Sequence, residues 1–236
     1  MADRRLHQLA FWFQHPSNIF IVGPTGSGKT QFMENALSLG QFDPPPERLV
    51  WVYAEWQPAY ERLQERARRG QIIGLNTIEF VRDNTDYEEI YKAMSPSKRN
   101  MLVLDDQMTE AKSNADHLAN LFVKGSHHRN ITVVLMLQNM FEKGMRTASL
   151  NTQYMVLLKN PRDRSQIGKL ADQLMPNDRR FLVNVYEDAT KLPHSHLILD
   201  FRQDTAEEMR FYAMAQDKVA RVYVPDNYSL DYTSML

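Results

Sequence analysis

The segment Gly23-Pro24-Thr25-Gly26-Ser27-Gly28-Lys29-Thr30 matches the phosphate-loop pattern G-x-x-x-x-G-K-[ST] at every fixed position. Its glycines let the backbone curl until successive N–H groups point at one anion, and a following helix adds positive potential there. Lys29 has the reach for β- and γ-phosphates, and the Thr30 hydroxyl is a ligand for Mg²⁺. A glycine-rich turn that binds nothing would not need the flanking pattern. Asn18 to Val22 is a short apolar run of the kind buried in a parallel sheet. After the loop, Phe32, Met33, Ala36 and Leu37 recur at helical spacing from Gln31 to Leu39, and Gly40 is a natural stop. The expectation is a nucleoside-triphosphate site with Mg²⁺.

A second constellation is Met101-Leu102-Val103-Leu104-Asp105-Asp106. A buried strand that delivers carboxylates to the carboxyl end of a sheet is the Walker B pattern, and ligands gather at that end in open parallel sheets. Asp105 is expected to hold Mg²⁺, mostly through water, and Asp106 to orient or deprotonate the attacking water. Four apolar residues and two acids are a weak signal alone. Placed after the loop, with strand and helix signals alternating between, they become a strong one. The apolar run Ile131 to Leu137 ends in Gln138-Asn139. A polar amide on the tip of a strand beside Walker B senses the γ-phosphate or positions water. His127-His128 point to opposite faces of an extended segment with no third ligand nearby, so no metal is assigned to them.

These groups need elements to hold them. Besides the two segments flanking the loop, strands are predicted at Leu49–Tyr53, Ile78–Val81, Met101–Leu104, Ile131–Leu137, Tyr154–Leu158 and, as the final one, His196–Asp200. Helices are predicted at 59–69, 87–94, 113–124, 165–174 and 178–189, with a loop from Phe141 to Asn151. Residues 5–15 read as an amphipathic lead-in whose Phe11, Trp12 and Phe13 pack on a sheet edge or lie near the base. The cluster Arg66, Arg68, Arg69 reads as a solvated helix end, with a nucleic-acid or subunit contact as the other reading.

With 236 residues, 43% hydrophobic and 24% charged, the chain suits one large α/β domain. The balance of 28 basic and 29 acidic residues gives a net charge of −1, so any nucleic-acid contact must come from a local patch. The chain has no cysteine, which excludes disulfides and cysteine-based metal centres. No run approaches the roughly 18 apolar residues of a membrane span, and the N-terminus lacks a secretory pattern, so no membrane contact is expected. The division expected is an ATPase domain over 1–204, with a short lead-in 1–16, and a tail or arm over 205–236.

Taken together, these segments resemble the FtsK/HerA superfamily of P-loop ATPases. Within it they are most similar to the DNA-packaging ATPases of Maverick/Polinton-type elements, adintovirus-like viruses and related large double-stranded DNA viruses. The resemblance runs over roughly residues 10–205. It is carried by the phosphate loop, Tyr53-Ala54-Glu55-Trp56-Gln57-Pro58, Leu104-Asp105-Asp106-Gln107, the stretch from His127-His128-Arg129-Asn130 to Gln138-Asn139-Met140-Phe141, Arg146 to Asn151, and Lys159-Asn160-Pro161-Arg162-Asp163.

The resemblance implies an α/β fold of the P-loop NTPase type (ASCE, RecA-like). Its central, mostly parallel sheet is flanked by helices, with a catalytic strand between the Walker A and Walker B strands. It implies ATP hydrolysis coupled to DNA translocation in a ring of five or six subunits, packaging double-stranded viral DNA through a capsid or portal vertex. The setting is intracellular, in an infected host cell, or on the virion. Gln138 corresponds to the family's strand-terminal sensor, and an arginine finger completes the neighbour's site, with Arg146 the first candidate and Arg162 the second. Many members carry Asp-Glu where this chain has Asp105-Asp106, which leaves Glu55 as a substitute catalytic carboxylate. Pore contacts come from Lys124, His127, His128 and Arg129, or from Lys112, unless these form a solvated loop. Two other readings compete. A small-molecule kinase would use Arg162 and Arg164 as a lid, and a nucleotide-dependent switch would want an Asn-Lys-x-Asp segment that this sequence lacks.

Overall fold

Runs such as Asn18 to Val22 and Ile131 to Leu137 have no polar face to give to water, so they are stable only with both faces covered. The computed structural model, which describes residues 6–83, 87–105, 122, 130–141, 145–214 and 219–225, provides that cover. In chain order its elements are β1 (Leu6–Ala10), β2 (Phe13–Gln14), β3 (Asn18–Val22), α1 (Lys29–Ser38), β4 (Phe42–Asp43), β5 (Arg48–Tyr53), α2 (Pro58–Arg68), β6 (Glu79–Arg82), α3 (Tyr87–Ala93) and β7 (Asn100–Asp105). There follow β8 (Ile131–Leu137), α4 (Arg146–Leu150), β9 (Tyr154–Leu158), α5 (Ser165–Leu174), α6 (Arg179–Ala189), β10 (His196–Asp200), β11 (Phe211–Met214) and β12 (Val219–Tyr223).

Among the described residues a 10-stranded sheet runs in the order β1-β12-β11-β10-β9-β3-β8-β7-β5-β6. Neighbours from β9 to β6 are parallel. Those from β9 through β10, β11 and β12 to β1 are antiparallel. β2 and β4 form a separate parallel pair in which Phe13 and Phe42 stack at 5.4 Å.

Alternate residues of β3 feed two cores, as the two-residue period of a strand requires. Phe20 and Val22 join the layer under α5 and α6, with Ile167, Leu170, Leu182 and Val185. Ile19 and Ile21 join the layer under α1 and α2, with Phe32, Met33, Tyr60 and Leu63. Truncating such a side chain, Leu135→Ala for example, costs about 2–5 kcal/mol. The result is an α/β fold with a mostly parallel sheet between helices, and β8 lies between the Walker A strand β3 and the Walker B strand β7.

The structure departs from the sequence reading in four places. The expected loop from Phe141 to Asn151 contains α4, whose Ala148 is buried. The lead-in holds β1, paired with β12 in the register Leu6↔Tyr223 to Ala10↔Val219. Phe11 and Phe13 are buried beside it, while Trp12 is 49% exposed. β10 is not the final strand and runs antiparallel to β9. The described part of the expected tail, up to Pro225, supplies β11 and β12 to the same sheet. Of the helix expected over 113–124, Phe122 is helical and packs on Phe20 at 5.2 Å. The rest of that span lies outside the described residues, as do Asp106, Lys112, Lys124, His127, His128, Arg129 and residues 226–236.

Candidate functional site

Because β3, β5, β7, β8 and β9 are parallel, the segments that follow them emerge on one edge. The register fixes their relative heights: Val22 is level with Leu137 and Leu157, and Asp105 with Tyr53 and Met136. The phosphate loop after β3, Asp105 closing β7, Gln138 after β8 and the 159–162 segment after β9 therefore share this edge. This is the ligand edge of open parallel sheets.

The loop is held from behind by the Gly23 amide, which donates to Leu137 O at 3.0 Å. Inside it the Ser27 amide donates to Pro24 O at 3.1 Å. Gly28 stands at φ 105° in the left-handed region as the residue capping α1, and a Cβ there would lie 2.8 Å from His194 Nδ1. Neither a capping side chain nor an acidic residue occupies the first turn of α1, so its positive end is left for a ligand. Lys29 opens that helix and turns its ammonium back onto the loop, donating to Gly23 O at 2.8 Å and Pro24 O at 3.4 Å.

The Thr30 hydroxyl lies 3.4 Å from both Asp105 Oδ2 and Gln57 Oε1, and its single hydrogen can be donated to either. Asp105 is buried, and the same Oδ2 accepts the Tyr60 hydroxyl at 2.8 Å. Tyr60 belongs to α2, whose start is set by Pro58 with Gln57 as the residue before it. An aromatic group of Tyr53, Trp56, Tyr60 and Phe80, with ring centroids 5.3 to 5.5 Å apart, seats that helix against β5 and β6. One hydroxyl and one carboxylate, both hard oxygen donors, suit a Mg²⁺ that keeps most of its waters and shares the rest of its shell with phosphate. Among the described residues there is no cluster of three or more His, Cys, Asp or Glu side chains fit to hold a metal alone.

An open cavity of about 520 Å³ lies against the loop. It is lined on one side by Pro24 to Ser27 and Gln138, and on the other by Lys159, Pro161, Arg162, Pro193 and His194. His194, at φ 60°, donates from Nδ1 to Ser27 O at 3.2 Å and so fastens the turn before β10 to the loop.

The structure thus brings together Gly23 to Thr30, Lys29, Asp105, Gln138 and Arg162. Glu55 and Arg146 do not line the cavity. Glu55 lies after β5, its side chain 87% exposed, in a 3.7 Å pair with Arg82. Arg146 is exposed at the start of α4 and does not line the cavity. The carbonyl of Asn151, just past that helix, accepts the Asn18 side-chain Nδ2–H at the amino end of β3, the far edge of the sheet. Asp106 lies outside the described residues. Arg66 and Arg69 are engaged within the chain, with Glu34 and Ser38 and with Glu65. Arg164 pairs with Glu187 at 3.2 Å.

Sequence reasoning missed Tyr60 and His194 as site residues, and Lys159 and Gln57 each appeared only inside a longer phrase. Tyr60 lies three residues past Gln57 on a helix that sequence does predict, so the helical period held a usable hint. His194 reaches the loop from 167 positions away, and nothing local marks it.

No protein-family model matches the sequence. Over 53 residues the chain is 48% identical to Packaging protein 1 of Snake adenovirus serotype 1, a match covering 22% of this chain and 12% of that protein. Two structures of the genome packaging NTPase B204 from Sulfolobus turreted icosahedral virus 2 align with TM-scores of 0.50. The sulfate complex is 13% identical and covers 80% of this chain and 93% of B204. The AMP complex is 11% identical and covers 89% and 97%. Among the described residues no helix is long and apolar enough to cross a membrane. Sheet order, phosphate loop and shared architecture agree: this chain has the P-loop NTPase fold, in the form also seen in a viral genome-packaging NTPase.

Proposed function

We propose that the chain is an ATP-hydrolysing motor that moves double-stranded DNA into a viral capsid. The observation that carries this reading is the interposed strand β8, which delivers Gln138 to the same cavity as the phosphate loop. Small-molecule kinases have no need of an amide on such a strand. The resemblance to Packaging protein 1 and the fold shared with B204, one of whose structures holds AMP, support the same direction.

In this reading the loop amides and the Lys29 ammonium cradle the triphosphate, with Lys29 exchanging its loop carbonyls for phosphate oxygens. Thr30 and Asp105 hold Mg²⁺, which when bound neutralises charge on the phosphate oxygens. Tyr60 and Gln57 orient those two groups. Gln138 senses the γ-phosphate or positions the attacking water, and Asp106 or Glu55 takes its proton. Arg146 acts across a subunit border in a five- or six-membered ring, while Arg162 works within its own chain's site. DNA is gripped through phosphates without sequence preference, with Lys124, His127, His128 and Arg129, or Lys112, as the contacts. A capsid or portal vertex in an infected cell is the docking partner.

The test is ATP turnover measured with and without long duplex DNA, alongside particle mass in each condition. Duplex-stimulated turnover by a closed ring is the expected result. Turnover indifferent to DNA in a stable monomer would overturn the motor reading.

A further inference from the structure

Gln138 and Arg162 sit on different loops, and one buried side chain joins them. Gln166, in the first turn of α5, is 6% exposed and uses both ends of its amide. Its Oε1 accepts the Met140 backbone amide at 3.2 Å, two residues past Gln138, and its Nε2 donates to Asp163 Oδ2 at 2.8 Å, one residue past Arg162. We propose that Gln166 is a positioning residue that couples the Gln138 loop to the Arg162 loop, so that a nucleotide engaging one resets the other. The inference rests on the functional reading above.

The Arg162 loop is stitched so that it moves as a unit. Asn160 Oδ1 accepts the amides of Arg162 and Asp163 at 3.1 and 3.2 Å, and the Tyr186 hydroxyl accepts the Asn160 amide at 2.8 Å while donating to Leu158 O at 2.9 Å. Asp163 also accepts the Ser165 hydroxyl at 2.6 Å; this bond first, and then that from Gln166, holds its carboxyl below the usual range. On the other side, the Gln138 loop is seated on the same helix one turn later, where the Lys169 ammonium lies 5.9 Å over the Phe141 ring. Gly23, Met140, Asn160, Asp163, Gln166 and Tyr186 surround a residual void of only about 10 Å³ behind the phosphate loop. With so little free volume, displacement of one loop is transmitted rather than absorbed. An amide serves where a leucine of similar size would pack, because its carbonyl and NH₂ ends accept only one orientation between an N–H and a carboxylate.

Gln166→Glu tests this without emptying the site: it keeps the acceptor for Met140 and replaces the donor to Asp163 with a like charge. Gln166→Leu removes both ends. The measurement is kcat for ATP in a double-mutant cycle of Gln138→Ala and Arg162→Ala, run in the native chain and in each Gln166 variant, with thermal melting as the check on folding. In the native chain the two substitutions are expected to depart from additivity by about fivefold or more, as members of one network do. In a folded Gln166→Glu chain they should combine additively within about twofold, with kcat lowered and KM little changed. Native turnover with coupling undiminished in Gln166→Glu overturns this inference alone. Absence of ATP turnover in the native chain removes the functional reading and takes this inference with it.

Discussion

The Tyr60 phenol donates to Asp105 Oδ2 at 2.8 Å, on the oxygen that also lies 3.4 Å from the Thr30 hydroxyl. Both side chains are buried, and Tyr60 is braced by Trp51, Trp56 and Phe80, so the bond sets the direction in which the carboxylate presents itself. Partners of this kind outside a ligand shell commonly change metal affinity by tenfold or so. Tyr60→Phe keeps the ring packing and deletes the hydroxyl. The Mg²⁺ concentration giving half-maximal ATP turnover is expected to rise about tenfold while the melting temperature moves little. An unchanged Mg²⁺ titration would contradict the role given to Tyr60.

Lys29 spends its charge on Gly23 O and Pro24 O, contacts that a triphosphate would replace with far stronger ones. Lys29→Ala is expected to lower phosphate release by about 10³-fold, at the upper end of what removing one electrostatic contact does. It should also abolish the rise in melting temperature that ATP gives the native chain, since only a ligand that binds the folded state stabilises it. A preserved ATP-induced shift would mean that the nucleotide sits elsewhere.

The parallel half of this fold was legible because it is encoded locally. β3, β7, β8 and β9 are apolar except for Asn18, Asn100, Asp105 and Thr132, and each ends at or just before a polar residue or a glycine, so their burial and the edge that collects the ligands follow from the chain itself. The antiparallel half was not. Phe211-Tyr212-Ala213-Met214 and Val219 to Tyr223 are short, and Arg221 breaks the second run. What makes them strands is pairing with each other, with β10 and with the amino-terminal β1. The site divides the same way. Gly23 to Thr30 and Asp105 stood out by type and spacing. Gln166 and His194 become visible only when distant elements pack, because an ordinary polar residue in a helix or turn carries no mark of what it will face.

The two candidate arginines make opposite predictions in mixed rings. Arg162 lines the cavity of its own chain, whereas Arg146 lies on an exposed helix leading away from it. Arg146→Ala subunits mixed with Lys29→Ala subunits should recover part of the native turnover, because an intact Lys29 site then receives Arg146 from its neighbour. The corresponding Arg162→Ala mixture should stay inactive, since no subunit carries both groups. A finger contributes on the order of 10³ to 10⁵ in rate, so partial recovery is easily read above background. Recovery with Arg162→Ala, and none with Arg146→Ala, would exchange the two roles.

His196 opens β10 beside the phosphate-loop helix, its ring 4.6 Å from that of Phe32 in an edge-on contact. Both ring nitrogens are shut off from water and neither makes a hydrogen bond of good geometry, although the His194 backbone pulls weakly toward the charged form. Burial dominates and pushes the imidazole down to about 4 from an ordinary 6.5. The unfolded chain therefore takes up a proton near pH 6.5 that the folded chain refuses until about pH 4. Between those values the unfolded state binds more protons, so stability rises with pH across the window. It is fully present above 6.5 and is lost as pH falls toward 4, by up to about 3 kcal/mol. His15, also lowered chiefly by burial, contributes in the same sense and remains in both chains. The informative quantity is thus the difference between native and His196→Phe denaturation curves. That difference should grow steadily from pH 7 to pH 4, with the native chain losing more. A difference that stays flat across this range would show that His196 is protonated in the fold and that its burial does not govern its charge.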